Sequence, residues 1–288
     1  MIARLRAASG PYFSVLPGGL WLAIFFVLPM FVMISLSLET GNLINGFTFT
    51  WHFAAYSHML SLYHDQLLRS LWYGVVATAL CVLLAYPMAY WIAFFGGRAK
   101  STYLFLVLLP FFVTFVLRTV AWQFLLGDQG LILGWLKDAG IVSQNFHVLA
   151  TSIAVIAGLV YNYLPFMLLP IYVALERIDP SLLEAASDLY ATRRQTFLRV
   201  VFPLTVPGIF AGVLLTFVPV ASDYVNASIL GGTGQTMIGN IIQTLYLTNA
   251  DYPDASALSI VLMAILLIGI FIYARALGTG DLLEAAAA

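Results

Sequence analysis

The sequence predicts an all-α membrane protein with six transmembrane helices. Hydrophobic residues make up 62% of the 288-residue chain and charged residues only 9%, which excludes one or two soluble domains of this length. A helix needs about 20 apolar residues to cross a hydrocarbon core of ~30 Å, and the sequence contains six runs of this kind. The predicted spans are 16–38, 71–95, 102–126, 148–175, 204–227 and 255–274.

The basic residues predict which ends of the spans face the cytoplasm. Eleven of the twelve Lys and Arg residues lie outside the predicted spans. Nine of them fall before the first span, in the second-to-third or fourth-to-fifth connections, or after the sixth span, whereas Arg69 and Lys137 fall on the opposite side. The positive-inside rule therefore predicts that both termini are cytoplasmic.

The first span follows a short basic arm, residues 1–15, which is predicted to be cytoplasmic. Pro17, Gly18 and Pro29 lie within the span and predict a kink. We expect the span to remain uncleaved, because it is longer than the apolar part of a signal peptide and no small-residue cleavage site follows it.

Residues 39–70 are predicted to form a long outer loop. The loop contains His52, His58 and His64, whose regular spacing allows a metal site. No paired carboxylates or cysteines stand nearby to complete such a site. Its aromatic residues fit an interfacial belt better, and we expect no metal.

The second and third spans are joined by a tight turn at residues 96–101. Lys100-Ser101 resembles the end of a phosphate loop, but Ala99 stands where that loop needs Gly, and no strand precedes it. The chain therefore offers no nucleotide site of its own. The single cysteine, Cys81, lies in the second span and is predicted to be a small core residue.

Residues 176–203 form a long charged segment between two apolar runs, and we predict a pair of short helices there. Asp179 can cap the first helix, and Pro180 suits its first position. Thr192 and Gln195 have capping-box spacing for a second helix, and Pro203 is expected to start the next element. Such a pair, held at the membrane surface, suits docking onto a partner protein.

Arg118 and Asp223 are the charged residues within the predicted third and fifth spans. Straight helices would place them roughly 25 Å and 30 Å from the cytoplasmic ends, toward the outer side. A charge at a span centre costs about 3 kcal/mol, so both should face the bundle interior. They could line or gate the translocation path, form a structural ion pair, or lie in the outer headgroup zone.

Polar and aromatic residues predicted at the same depth could contact a small polar solute, although each could instead be packing. Those candidates are Trp122, Tyr161, Asn162, Tyr163, Tyr224 and Asn226. Pro219 predicts a hinge in the fifth span. Residues 228–254 are too polar to span, and apolar residues at helical spacing predict a short outer helix there. The tail, 278–288, is predicted to be cytoplasmic.

The charged segment carries a resemblance to a known family. Glu184-Ala185-Ala186, followed at the family's spacing by Val200 and Phe202-Pro203, resembles the coupling loop of permease subunits of ATP-driven (ABC) importers. Tyr190 stands where that family usually has Gly, which tolerates a positive φ better than Tyr does.

A second set of motifs resembles the spermidine/putrescine branch of these permeases. The motifs are Leu109-Pro110-Phe111, Leu117-Arg118-Thr119, Ala121-Trp122, Leu230-Gly231-Gly232, the run Met237 to Ile242, Tyr252-Pro253 and Ala257-Leu258-Ser259. The resemblance covers nearly all of the chain. It implies the fold of type I importer permeases (MetI-like), with 16–277 as one permease domain in the bacterial inner membrane.

The resemblance also implies partners and roles. The expected partners are a second, similar permease chain, two ATPase subunits that hold ATP and Mg, an extracytoplasmic solute-binding protein and membrane lipid, with no nucleic acid. This chain is expected to be a transporter subunit rather than an enzyme, and to bind no cofactor itself. The coupling contact is assigned to Leu183, Glu184, Ala185, Ala186, Tyr190, Arg193 and Arg194.

Three classes of function remain open from the sequence: an importer permease, a secondary transporter and a membrane-anchoring subunit. The favoured one is import of a polyamine by alternating access, which the resemblance implies; Asp223, an acid within the spans, agrees with a cationic solute. The same class of permease could carry ferric ion, sulfate, a sugar or an amino-acid derivative instead. A secondary transporter would need no ATPase but usually has internal repeats, and a membrane-anchoring subunit would need no polar path.

Overall fold

The computed structural model describes residues 16–276, which are mainly helical. The arm at 1–15 and the tail at 278–288 lie outside the described residues. The elements in chain order are α1 (Leu16–Ser37), β1 (Glu39–Asn42), β2 (Gly46–Phe49), α2 (Ala54–Phe95), α3 (Lys100–Leu108), α4 (Phe115–Leu126), α5 (Leu131–Asp138), α6 (Ser152–Glu176), α7 (Pro180–Asp188), α8 (Arg193–Ala221), α9 (Val225–Leu230), α10 (Ile238–Gln243) and α11 (Tyr252–Ala276).

The helices of residues 16–276 confirm the number of predicted spans. Five of them, α1, α2, α6, α8 and α11, are long and apolar enough to cross a bilayer. The segments Gly97–Phe112 and Phe115–Asp138 are together also long and apolar enough, although they are bent by 90° at the break between them. Counting that bent pair as one span gives six.

The described residues divide into two compact units, of which the first comprises residues 16–64 and 242–265. Within it, β1 and β2 form an antiparallel hairpin in which Glu39 pairs with Phe49. The Tyr56 hydroxyl lies 2.6 Å from the Ser37 Oγ atom and joins the end of α1 to the start of α2. None of the most apolar stretch of α1 is buried.

The second unit, residues 65–241 with 266–276, has α6 at its centre. Leu159, Met167, Leu168 and Ile171 of this helix are fully buried. The helix begins after Thr151, whose side chain accepts a hydrogen bond from the Ala154 N–H group, because a threonine oxygen satisfies a donor that has no intrahelical partner. The helices α4, α8 and α9 pack against α6.

Two glycines let α8 approach α6 closely. A Cβ atom at Gly208 would lie 2.5 Å from the Ala174 Cβ atom and 2.6 Å from the Pro170 carbonyl oxygen. One at Gly212, a helical turn later, would lie 2.7 Å from the Met167 Sδ atom. Small residues four positions apart allow transmembrane helices to pack backbone to backbone.

A stripe of small residues on α2 is fully buried in the same unit. The stripe consists of Ala77, Cys81, Ala85 and Ala89, each with no exposed surface. The prediction that Cys81 is a small core residue is confirmed. Its Sγ atom lies 3.7 Å from the Val160 carbonyl oxygen of α6.

The predicted outer loop at 39–70 was wrong in extent. The hairpin occupies 39–49, and α2 starts at Ala54. At 1.5 Å per residue its 42 residues are about 63 Å long, roughly twice the hydrocarbon thickness. The helix therefore continues beyond the apolar stretch that marked the predicted span, with a non-helical residue, Tyr63, at its kink.

The third span is not the straight helix predicted over 102–126. A 3₁₀ turn at Leu109–Phe112 follows α3, and Val113 and Thr114 are extended before α4 begins. Pro110 has no N–H group to donate to the preceding turn, which favours the break. The straight-helix depth of Arg118 was therefore wrong, and α5 was not predicted.

The fifth span also differs from the prediction. The second short helix of the 176–203 segment does not end before Pro203, because it continues through a π-helical turn at Phe197–Val201 into one helix, Arg193–Ala221. Its other end comes earlier than expected, so Asp223 lies beyond the helix rather than within it. Pro203 is tolerated because the π turn absorbs the missing hydrogen bond.

A helix is present within 228–254, where a short one was expected: α10, which leads directly into a π-helical turn at Thr244–Thr248. Met237 and Ile238 at its start are fully buried. The Ile238 N–H group donates to the Ser70 Oγ atom of α2 at 2.8 Å, and the Arg69 Nη1 atom donates to the Thr236 carbonyl at 2.9 Å. These bonds hold the start of α10 against α2.

Candidate translocation site and coupling surface

Asp223 occupies the short break between α8 and α9 and is 6% exposed. Its Oδ1 atom accepts a hydrogen bond from the Asn226 N–H group at 2.8 Å. Its Oδ2 atom accepts from the Asn226 Nδ2 atom at 3.1 Å and from the Tyr163 hydroxyl at 3.2 Å. The side chain competes with the helical backbone for N–H groups, which explains why the helix stops here and α9 starts anew.

A chain of buried amide and hydroxyl groups extends from this carboxylate into α4. The Asn162 Nδ2 atom donates to the Asn226 Oδ1 atom and to the Thr119 Oγ1 atom, both at 3.1 Å. Thr119, Asn162 and Asn226 have no exposed surface. The network thus joins α4, α6 and α9 through side chains alone, and it places Asp223 at its end.

Gly158 of α6 makes room for this network. A Cβ atom there would overlap the Leu230 Cδ1 atom and would lie 2.8 Å from the Asn226 Oδ1 atom. Only a residue without a side chain lets α9 approach α6 closely enough for Asn226 to meet both Asn162 and Asp223.

Arg118 lies on α4, one residue before Thr119, and is 7% exposed. Its guanidinium carbon is 4.4 Å from the centroid of the Phe111 ring and 5.7 Å from that of Phe115, which is cation–π geometry. Among residues 16–276 no ion pair joins Arg118 to Asp223, and the Nε and Nη1 atoms of Arg118 have no hydrogen-bond partner. Asp223 therefore has no counter-cation in this part of the chain.

The remaining candidates for the path are three aromatic residues, Trp122, Tyr161 and Tyr224. Trp122 and Tyr161 form an edge-to-face pair with ring centroids 5.3 Å apart. Tyr224 is 42% exposed, and its carbonyl accepts a hydrogen bond from the Asn240 Nδ2 atom of α10. The structure thus joins Asn162, Tyr163, Asp223 and Asn226 directly, and it leaves Trp122, Tyr161 and Tyr224 outside that set of hydrogen bonds.

Three contributors were not among the predicted site residues: Thr119, Gly158 and Asn240, although Thr119 and Asn240 fall within motifs that carry the family resemblance. A threonine or a glycine in a transmembrane helix is common, so neither residue stood out. The signal that could have found Thr119 is its place one residue after the buried Arg118. Asn162 was the informative position, because a buried amide within an apolar span must find polar partners.

No group of three or more His, Cys, Asp or Glu side chains in the described part of the chain could hold a metal ion. Of the three outer histidines, His64 places its Nδ1 atom 3.0 Å from the Ser61 carbonyl oxygen.

The second candidate surface is formed by α7 and the start of α8. The prediction for the beginning of α7 is confirmed, because Asp179 caps the helix by accepting from the Ser181 N–H group at 2.9 Å, and Pro180 is its first residue. The same hydrogen bond holds the pKa of the Asp179 carboxyl below its usual range. The capping box of Thr192 and Gln195 is also present at the start of α8.

The turn between α7 and α8 has the backbone shape for which a Gly would be expected. Tyr190 has a φ of +54°, in the left-handed region that non-Gly residues rarely adopt. Its side chain is 94% exposed, and that of Leu189 is 82% exposed. The chain thus keeps the left-handed turn and projects an aromatic ring from it.

The residues assigned to the coupling contact lie mostly at the surface. Glu184, Ala185, Arg193 and Arg194 are exposed, Leu183 is half-buried and Ala186 is buried. A groove of about 480 Å³ runs between α7 and α8, lined among others by Ala185, Tyr190 and Arg199. The elbow formed by α7, the turn at 189–192 and the start of α8 therefore exposes both apolar and basic side chains.

Comparison with known proteins decides the family. Residues 82–277 match the family of binding-protein-dependent transport system inner membrane components, a range that includes both surfaces described above. The chain belongs to this family. It is accordingly similar to permease subunits of ABC transporters, multi-pass proteins of the inner membrane that are not themselves enzymes.

Relatives of known name cover nearly the whole chain. The spermidine/putrescine transport system permease protein PotB of Haemophilus influenzae is 38% identical over 257 residues, or 89% of this chain and 90% of the relative. The PotB protein of Escherichia coli K12 is 35% identical over 89% of this chain and 94% of its own. The inner membrane ABC transporter permease protein YdcU of E. coli is 34% identical over 76% of this chain.

Solved structures show the same fold at low sequence identity. A bacterial ABC transporter that imports the acidic polysaccharide alginate matches with a TM-score of 0.72 and 20% identity, over 95% of this chain and 98% of that chain. The MetNI methionine ABC transporter in an inward-facing conformation matches with a TM-score of 0.54 over 80% of this chain. The predicted fold of type I importer permeases is confirmed.

Proposed function

We propose that this chain is a permease subunit of an ATP-driven importer of polyamines. The observation that carries the proposal is its 38% and 35% identity to two spermidine/putrescine permeases across about nine-tenths of their length. Cargo and partners are extended from those relatives to this chain.

The network around Asp223 supports a cationic cargo. Its carboxylate is buried, accepts three hydrogen bonds and has no ion-pair partner among residues 16–276. A buried charge without a counter-charge is costly, and opposite charges in such a site stabilise each other. The ammonium group of a polyamine would supply that counter-charge during passage, and Trp122, Tyr161 and Tyr224 would offer aromatic faces along the path.

Arg118 would act as the positive side of the same path. Its guanidinium is held over Phe111, away from any ion pair with Asp223. A fixed positive charge repels ammonium groups, so its position would decide when the path accepts the cargo. We assign Arg118 to the gate and Asp223 to cargo contact.

The elbow of α7 and α8 would receive the ATPase. Glu184, Ala185, Tyr190, Arg193 and Arg194 are exposed in a surface that also contains a groove. Since α8 is one helix from Arg193 to Ala221, two residues before Asp223, a displacement of the elbow would be carried along that helix toward Asp223. Alternating access would follow from this mechanical link.

The assembly would contain a second, similar permease chain, two ATPase subunits carrying ATP and Mg, and an extracytoplasmic solute-binding protein. Both termini and the elbow would lie on the cytoplasmic side, as the basic residues predict. A cysteine introduced near the elbow, at Ser187, would then be labelled by an impermeant thiol reagent only after the cells are opened.

Uptake measurements test the function. The reconstituted complex, with its binding protein outside and ATP inside, is offered labelled putrescine, spermidine, ferric ion and sulfate in turn. We expect ATP-dependent accumulation of a polyamine. Accumulation of ferric ion or sulfate alone would reject the polyamine assignment, and uptake driven by a proton or sodium gradient without ATP would reject the importer itself.

A further inference from the structure

A groove of about 460 Å³ lies between α2 and α3, apart from the network and the elbow. Its volume is in the range of roughly 300–1,000 Å³ that small-molecule sites have. No charged side chain of the described residues lines it. Its lining includes Pro87, Met88, Trp91, Tyr103, Leu106 and Val107.

The groove lies on the face of the α2 and α3 pair that points away from the buried core. Ala85 and Ala89 of α2 are fully buried, whereas Met88 is 38% exposed and Trp91 is 48% exposed. Leu106 on α3 is 54% exposed. In a bilayer, an apolar surface exposed in this way meets lipid chains, and flexible Met and Leu side chains adapt to them.

One end of the groove lies next to a basic turn. Trp91 and Tyr103 form an edge-to-face pair with centroids 4.9 Å apart. Each is about one helical turn from the 96–101 connection, because α2 ends at Phe95 and α3 begins at Lys100. Trp and Tyr are enriched at headgroup depth in membrane proteins. The aromatic pair therefore marks the polar end of an otherwise apolar groove.

Arg98 is the cation left available at that end. Lys100 is paired with Glu176, with its Nζ atom 3.0 Å from the carboxylate. Arg98 is exposed in the 3₁₀ turn Gly97–Ala99, and no ion pair or side-chain hydrogen bond involves it among residues 16–276. Arg98 lies in the turn that joins the two helices of the groove, between Trp91 and Tyr103 in the chain.

We propose that this groove is a binding site for an anionic phospholipid. One acyl chain lies along Met88, Leu106 and Val107, and the phosphate is bound by Arg98 beside Trp91 and Tyr103. A phospholipid matches the juxtaposition because it joins an apolar chain to an anionic head. Basic pockets between transmembrane helices bind such headgroups, at about 1 kcal/mol per basic residue.

Lipid retention by the purified complex tests the site. The complex is exchanged into detergent with equal amounts of phosphatidylglycerol and phosphatidylethanolamine, and the lipids that remain bound are counted by native mass spectrometry. We expect phosphatidylglycerol to be retained over phosphatidylethanolamine. Arg98→Gln should lower that preference roughly fivefold, since 1.4 kcal/mol corresponds to tenfold and one basic residue supplies somewhat less.

Two further variants separate the site from general charge effects. Arg275→Gln removes another exposed arginine, in the last turn of α11, and should leave the preference unchanged. Val107→Trp fills the groove and should reduce retention of both lipids. If Arg275→Gln and Arg98→Gln have the same effect, or if the two lipids are retained equally, the proposal is overturned.

Photo-crosslinking identifies the occupant directly and does not depend on folding of a filled groove. A photoreactive phenylalanine derivative in place of Met88, in the complex within vesicles containing phosphatidylglycerol, should form crosslinks to lipid. Crosslinks to a second permease chain or to another helix of this chain would instead show that protein covers the groove, and would overturn the lipid assignment. Transport is not measured in either experiment, so their outcome is independent of the proposed cargo.

Discussion

Replacing Gly158 with Ala should disturb the Asp223 network without removing any of its polar groups. The added methyl group would overlap the Leu230 Cδ1 atom and lie 2.8 Å from the Asn226 Oδ1 atom. Side chains forced into a packed site cost about 1–3 kcal/mol. Ala is a better helix former than Gly by about 1 kcal/mol, so the net loss of stability should be about 0–2 kcal/mol, together with a displaced Asn226.

The control is Gly269→Ala in α11, where a Cβ atom would meet nothing within 4 Å. Thermal unfolding of the purified complex should show Gly158→Ala less stable than Gly269→Ala by about 1–3 kcal/mol, because both gain the same helix propensity. Polyamine uptake should fall in Gly158→Ala alone.

A double-mutant cycle identifies the cause. If the methyl group acts by displacing Asn226, then Gly158→Ala should reduce the unfolding free energy less in an Asn226→Ala background than in the original chain. The interaction energy between the two substitutions should be about 0.5–3 kcal/mol, as for residues in contact. Strictly additive effects, or equal stabilities for Gly158→Ala and Gly269→Ala, would refute the reasoning that Gly158 exists to admit Asn226.

Three further outcomes follow from single contacts. Lys100→Gln, which removes the exposed pair with Glu176, should change the unfolding free energy by less than about 1 kcal/mol; a larger loss would mean that the pair is shielded from solvent. Tyr190→Gly should stabilise the chain by about 1 kcal/mol, because φ there is +54°, and an unchanged melting temperature would contradict this. The lowered pKa of Asp179 means that its cap is fully present above the unfolded value of about 3.9 and is lost as pH falls through the lower folded value. Hydrogen exchange at the Ser181 amide should therefore remain slow at pH 5 and lose protection only below about pH 4, and loss of protection already at pH 6 would contradict the cap.

Local signals in the sequence were sufficient for the elbow. Asp179, Pro180, Thr192 and Gln195 each act on a backbone group within three residues, so their roles do not depend on the rest of the fold. Even the strain at Tyr190 was foreseeable, because the family's usual Gly marks a left-handed position. The prediction that Pro203 begins a new element failed, because a π turn lets the helix continue through it.

The breaks in the spans were harder to predict. Apolar content located the third and fifth spans, but it carries no information on where a span bends. The interruption before α4 depends on Val113 and Thr114, and the end of α8 depends on how Asp223 is satisfied by Asn226 and Tyr163. The last of these contacts is long-range, so it cannot be obtained from spacing along the chain.

The sequence predicted several residues of the site but not the contacts between them. Asp223 was identified because a charge within a span is costly, and Asn162 and Asn226 because they were predicted at the same depth, where they could contact a polar solute. Their actual partners include Thr119, and they meet only because Gly158 leaves space. Arg118 was considered as a partner for Asp223, and the structure places it over Phe111 instead.

Uptake of labelled spermidine by the complex with Asp223→Asn tests the central claim most directly. The change keeps the size of the side chain and removes its charge. Loss of a buried charged contact costs about 1.5–3 kcal/mol, so uptake at limiting spermidine should fall about tenfold or more. The exposed Asp138→Asn variant should transport normally, and both should hydrolyse ATP at the basal rate. Full spermidine uptake by Asp223→Asn would contradict the account.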